Sequence, residues 1–477
     1  MHSTVRIAIV LAAGLAATPA AAGAKEDCAI NMGDLSIAAC TLAIKHNPRD
    51  EESFYNRGNA YLAKNSLDRA LADFSKAIEI DPTFAASRHN RGYVHYLRRD
   101  LERALADFAK AIELDPKLAA AYNSRGTVLR EKGDLLGALA DFAKAIEINP
   151  LHANAYNGRG LVHHDRDDLD NALADYTKAI EIDPKLAAAY FNRGNTHYAK
   201  RNLDAALADY SKALEIDPKD ASTYLGRGIV QRARGDLDQA LADYSKAIEI
   251  NPRYASAYNN RANVHRAKGD SGRALADYTK AIEISPRYAT AYNNRGNTHR
   301  AKGDYNRAIA DYNKLIEITP RSAAYTDRGI AHRGKGHLDR AVADFALAIK
   351  ISSAEIATST GEDKAEGLND RCWARAVAEQ ELPLALADCN EAQRLSPTSL
   401  KALDSRGLVH LKLGRHDEAI TDYGAVLKVD PRNAHARYGL GLARQRKGDS
   451  VGGEAEMVAA RAIRPWLPAD YAAYGVR

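Results

Sequence analysis

The sequence predicts an all-α solenoid of stacked helix–turn–helix units, and three observations predict it. Proline recurs every 34 residues, at Pro82, Pro116, Pro150, Pro184, Pro218, Pro252, Pro286 and Pro320, without a slip. Self-similarity at a period of this size marks a repeat architecture. Between the prolines, apolar residues return at intervals of three and four, the spacing of one helical face. A polar residue suited to start a helix also stands at one fixed position in each unit: Ser66, Asp100, Asp134, Asp168, Asn202, Asp236, Asp270 and Asp304.

The chain opens with a targeting segment. Met1 to Arg6 carries positive charge, Ile7 to Ala17 is apolar, Thr18-Pro19 breaks a helix, and small alanines follow. This order reads as a signal peptide over residues 1–22, cleaved after Ala22 or Ala24. An apolar run this short falls well below the roughly 20 residues needed to cross about 30 Å of hydrocarbon. The expectation is an exported, periplasmic or secreted chain whose mature form has no membrane span.

Residues 23–50 read as an N-terminal capping hairpin, with Pro48 one period before Pro82. An array of nine repeats follows over 51–351. In the unit Ala119–His152, "AAAYNSRGTVLREKG" forms the first helix and "DLLGALADFAKAIEINP" the second. Leu135, Ala138, Leu139, Phe142, Ala145 and Ile146 draw its apolar stripe. Gly133 can take the left-handed conformation that ends a helix, Asp134 caps the next, and proline closes the unit. One hairpin of this size buries too little apolar surface to offset its ordering entropy, so neighbours must stack.

Beyond the ninth repeat the pattern is disturbed. "SSAEIATSTGEDKAEGLND" is polar and small, and 352–365 is expected to be a linker, a hinge between two arrays. Three repeats occupy 366–467, where Pro397, Pro431 and Pro465 restore the interval. The unit from Ala434 is degenerate, as terminal repeats that cap a core are, and 468–477 forms a C-terminal tail.

Composition narrows the function. Lys and Arg number 67 against 62 Asp and Glu, a net charge of +5, and no cluster of five or six like charges occurs. That is a mixed, solvated surface with no phosphate-backbone footprint, so nucleic acid is not an expected partner. No HExxH, GxSxG, Walker loop or dinucleotide fingerprint appears. His95, His163, His197, His265, His299, His332 and His410 share one repeat position. Stacked units would hold them on the order of 10 Å apart, one helix diameter, too far for common zinc ligation at about 2.1 Å. No enzyme activity, metal or cofactor is expected.

The succession of an aromatic, Gly, Ala, Tyr or Phe, Ala and Pro within 34 residues resembles the tetratricopeptide repeat from about residue 51 to 467. The resemblance implies a right-handed superhelical solenoid of about twelve repeats, its concave wall lined mainly by first helices. It also implies that the chain binds peptides or partner proteins. One departure recurs: the family's usual apolar residue before the glycine is Arg here, with Asp sixteen residues later. The pairs include Arg57-Asp73, Arg125-Asp141, Arg227-Asp243 and Arg295-Asp311, and the last unit replaces both with Leu440 and Glu456. We expect partly buried bridges that set hairpin register; the alternative is that both groups face water.

By the family's geometry the groove would be lined by Asn56, Asn59, Asn90, Asn192, Asn195, Asn259, Asn260, Asn263, Asn293, Asn294 and Asn297. Amides offer donors and an acceptor to any extended peptide backbone; otherwise they are merely solvated. Arg232, Arg266, Arg300 and Arg333, from successive units, form a basic stripe suited to an acidic segment or a C-terminal carboxylate. Cys28 and Cys40 flank one turn, and Cys372 and Cys389 flank another. An exported chain with four cysteines permits bridges 28–40 and 372–389, buried free thiols being the alternative. The expected function is a scaffold holding a peptide or protein partner, with cell-envelope assembly one setting by analogy. A passive or self-associating array is the alternative.

Overall fold

The computed structural model describes residues 25–29 and 33–476; the expected signal peptide and its cleavage positions lie outside them. Among the described residues helices follow one another from Asp34 to Ala473, and no strand occurs. The chain is a helical solenoid. A regular unit pairs a first helix of 13 residues, such as Ala119–Glu131, with a second of 14, Leu135–Ile148.

The local chemistry explains these bounds. Gly133 adopts φ 85° and turns the chain out of the first helix. The Asp134 carboxylate accepts the Gly137 N–H at 2.9 Å, satisfying one of the free amides of the second helix. Asp100, Asp168, Asn202, Asp270 and Asp304 cap in the same way. Ser66, whose hydroxyl is one atom shorter, makes no such bond, and Asp236 is taken instead by Arg234 Nε at 3.0 Å. At the far end Asn149 is extended, as the residue before a proline prefers, and its side chain accepts the Leu151 N–H at 3.0 Å. Helix, proline turn and helix are thus specified within a few residues.

Packing links the units. Ala104 and Phe108 of one second helix bury against Val128 of the next first helix. Ala138 and Phe142 do so against Val162, and Ala240 and Tyr244 against Val264. These three cores straddle boundaries between repeats, so those hairpins are not complete alone. Within a hairpin the close approach depends on a small residue: a methyl group on Gly228 would lie 2.6 Å from the Tyr244 ring. Ala262 occupies the corresponding place and is fully buried against Tyr278.

The chain forms two compact units, one ending at Pro218 and the other beginning at Lys219. This division differs from the expected one, a hinge over 352–365. Asp220 stands at the start of the second unit. The position before the first helix is apolar at Phe84, Leu118, Leu186, Tyr254 and Tyr288, but here it is a carboxylate that caps Ser222 and Thr223.

The linker expectation is itself corrected. Leu338–Thr358 is one continuous helix of 21 residues, and Gly361–Ala378 follows after two residues. No proline stops the helix, and the Ser352 and Ser353 hydroxyls donate back to the carbonyls of Ala348 and Ile349, at 2.7 and 2.6 Å. Ser352 is fully buried, and Ile356 packs beside Leu368. The 468–477 tail is corrected too: Leu467–Ala473 is a helix, and Leu467, Tyr471, Tyr474 and Val476 are buried in the second unit. Disulfides join Cys28 to Cys40, and Cys372 to Cys389.

Candidate groove along the first helices

The recurring Arg and Asp meet in the same way along the chain. Arg57 donates Nε to Asp73 Oδ2 and Nη2 to Oδ1, both at 2.8 Å. Arg125 with Asp141, Arg227 with Asp243, and Arg295 with Asp311 repeat this two-point contact. The carboxylates are buried, 4 to 6% exposed in these four units. The guanidinium also lies over the ring three residues earlier, as Arg227 does over Tyr224 at 5.7 Å. The hydrogen bonds that Arg227 donates to Asp243 raise the Arg227 pKa and hold the guanidinium in its charged form. In the last unit Glu456 turns to Arg437, at 2.6 Å.

The shared histidines border these bridges. Nε2 of His95, His197, His265 and His332 stands 3.9 Å from the Asp Oδ2 of its unit. Burial lowers the pKa of each, against the pull of the neighbouring carboxylate.

Many of the groove amides are engaged within the chain. Asn90 donates to Asn59 at 2.6 Å, Asn192 to Asn157 at 3.0 Å, and Asn294 to Asn259 at 3.1 Å, so these amides tie neighbouring first helices together. The hydroxyls of Tyr210, Tyr278 and Tyr312 donate to Asn195, Asn263 and Asn297. Asn260 donates to the Ser256 carbonyl, and Asn293 accepts from Asn297. Asn56 is half-buried. Asn59 with Asn90, Asn157 with Asn192, and Asn259 with Asn294 form paired rungs.

The arginine stripe is arranged differently. Arg266, Arg300 and Arg333 stand on the successive first helices Ala255–Ala267, Ala289–Ala301 and Ser322–Gly334. All three meet the C-terminal helix. Arg266 lies 5.9 Å from the Trp466 ring centroid, Arg300 Nη1 lies 2.9 Å from Asp470 Oδ1, and Arg333 donates to the Ala473 carbonyl. Arg333 also reaches the Val377 carbonyl at 2.6 Å. Arg232 remains exposed at the edge of an adjoining cleft of about 740 Å³, which Asn263, Arg266, Arg432 and Trp466 help to line.

Several ionisable groups are buried in this part of the second unit. Arg300 is 8% exposed, and its Nε and Nη1 make no hydrogen bond. Burial disfavours its charge, but Tyr312, Asp470 and Tyr474 more than offset that and hold it protonated. Burial lifts the nearby Asp327 carboxyl to about 6, with Arg300 opposing. Burial likewise brings Lys412 down to about 8, beside Glu379 and the Tyr474 carbonyl.

Comparison with known sequences settles the family. Profiles described as "TPR repeat" match residues 58–98, 126–167, 162–200, 230–269 and 407–448. Others described as "Tetratricopeptide repeat" match 85–118, 187–220, 210–242, 253–321, and, for a further TPR profile, 293–356. The chain belongs to the tetratricopeptide-repeat family. Its TPR hairpins make it a protein-interaction scaffold in architecture.

Similarity to known proteins extends over varied lengths. Serine/threonine-protein phosphatase T of Trypanosoma brucei brucei is 41% identical over 66 residues, so the chain spans 14% of that relative's length. Among solved structures, YrrB, a TPR protein with an unusual peptide-binding site, is 27% identical, with 39% of this chain and 95% of that one covered and a TM-score of 0.33. Yeast Tom70 is 15% identical, with 89% and 95% covered and a TM-score of 0.39. The TPR pattern located the stripe arginines but not what faces them. Asp470 and Ala473 lie in the segment read as a tail and Trp466 at the end of the last expected repeat; their i, i+4, i+7 spacing was the available signal.

Proposed function

We propose that this chain is an exported TPR scaffold that holds a peptide or protein partner along the first helices of its repeats, in the periplasm or outside the cell. One observation carries the reading: arginines from three successive first helices converge on a single helical segment and engage its ring, its carboxylate and its backbone carbonyl. A surface that grips one helix in this way has the chemistry to grip others. The amide rungs, Asn59 with Asn90 and Asn157 with Asn192, extend a polar, weakly sequence-selective face through the first unit. An acidic or C-terminal segment is the partner chemistry that the arginines favour.

Export is supported by the leader-like residues 1–22 and by two disulfides, which persist in oxidising compartments. The test is photo-crosslinking in intact cells from probes placed at Asn59 and Asn195, followed by mass spectrometry. Recovery of a discrete partner supports the reading. Crosslinks only to further copies of this chain, together with a concentration-dependent mass in light scattering, would favour a self-associating array instead. Sequencing of the mature N-terminus tests the cleavage after Ala22 or Ala24.

A further inference from the structure

We infer that the helix Leu467–Ala473 and its flanks are a built-in ligand of the arginine stripe, and that this site takes a short partner helix of the same chemistry: an aromatic ring followed one turn later by a carboxylate. The inference rests on the scaffold reading above and adds the class of ligand.

The segment has two faces. Leu467, Tyr471 and Tyr474, spaced i, i+4, i+7, are buried. Tyr471 packs against Tyr438 at 4.9 Å and donates to the His435 carbonyl at 3.0 Å, while Tyr474 meets Trp373 edge-on at 5.1 Å. The other face carries Trp466, Asp470 and Ala473 at the same spacing, and each meets one arginine of the stripe in order: Arg266, Arg300, Arg333. Three arginines one repeat apart thus read three positions one helical turn apart. Nothing about a repeat core requires that match, since the regular units pack through Ala, Phe, Tyr and Val.

Two further features fit a ligand site. Arg300 is more than nine-tenths buried and ion-paired with Asp470, yet its Nε and Nη1 make no hydrogen bond, so donors remain for a ligand to engage. Beside it the cleft between Arg232, Arg266 and Trp466 stays open, and a longer incoming helix would continue into it. Trp466 itself helps to line that cleft. A competing helix that offers the same ring and carboxylate, with additional contacts to Arg232, would displace it.

The test uses the full chain and a fluorescein-labelled peptide with the sequence of residues 464–476, followed by fluorescence anisotropy. In the wild type the resident helix holds the stripe and the peptide binds weakly. Asp470→Lys sets like charges against Arg300 and expels the resident helix, so the peptide should bind at least tenfold more tightly. Asp470→Asn, a milder change, should give an intermediate gain. Combining Asp470→Lys with Arg300→Glu restores the resident pair with reversed signs, and peptide binding should fall back. If Asp470→Lys and Asp470→Asn both keep their helical signal and bind no better than wild type, the helix is a fixed part of the core and the inference fails. It fails equally if both variants unfold the second unit. Crosslinking from Asn59, in the first unit, tests the scaffold reading independently of these outcomes.

Discussion

Arg227 and Asp243 are joined by two parallel hydrogen bonds of 2.8 Å, one helix of a hairpin to the other. The carboxylate is 5% exposed and would be left buried and unpaired without its partner. Removing one member of a buried pair typically costs about 3–5 kcal/mol, whereas the pair itself adds little over a well-packed apolar contact. The bridge therefore reads as a register device: it penalises any hairpin in which the two helices slide.

Arg227→Ala should lower the melting temperature and release hydrogen-exchange protection in Ala221–Arg234 and Leu237–Ile250. Lys246→Ala, which removes only an exposed pairing with Glu249, should leave both unchanged. Equal effects from the two variants would show that the bridge does not hold the hairpin.

Acid should weaken the array. Burial depresses the pKa of His95, His197, His265, His299, His332 and His410 below the ordinary 6.5. A depressed folded-state pKa means that the unfolded chain takes up protons first as pH falls. Stability is then fully present above about pH 6.5 and declines as the pH drops through the depressed values. Thermal melts at pH 7.5 and 5.5 should show the loss, and His265→Gln should make it smaller. A melting temperature unchanged over that range would contradict the account.

Turn positions offer a stabilising change. Where Gly133, Gly269 and Gly303 hold positive φ, four early units carry Asn65, Arg99, Asp167 and Arg201, with Arg201 at φ 61°. A left-handed non-glycine residue costs roughly 1–2 kcal/mol, partly offset by the greater chain entropy of glycine. Arg201→Gly should thus stabilise by about 0.5–1 kcal/mol, and Gly269→Arg should destabilise. Denaturant titration of the two variants distinguishes this from a neutral surface position.

The disulfides should matter at both ends. Cys28–Cys40 and Cys372–Cys389 close loops of 12 and 17 residues in sequence, for which loss of a bridge typically costs about 2–4 kcal/mol. Reduction should lower the melting temperature, and alkylation before and after reduction should add mass for four thiols only afterwards. Replacing Cys372 and Cys389 together with Ala should leave the first unit's exchange protection intact.

The hairpins, their caps and their proline turns were legible because each is decided within a few residues, by spacing, by backbone preference and by a polar atom near a free amide. The Arg and Asp partners could be read for a related reason: a fixed hairpin geometry turns a sixteen-residue spacing into contact. Composition misled where polar residues are satisfied inside a helix, as Ser352 and Ser353 are, so an expected linker became part of a 21-residue helix. It misled again at the C-terminus, where seven helical residues too few to stand alone are held by what they touch.

The sequence by itself determined the repeat, its helical pairs and the row of arginines, all properties of a local pattern copied along the chain. Only the tertiary structure decided that the amides pair with one another and that Asp470 meets Arg300 from 170 positions away in the chain. The reason is physical. Periodicity specifies each unit against its neighbour, but contacts between distant units depend on small rotations summed over many repeats, and no single residue encodes that sum.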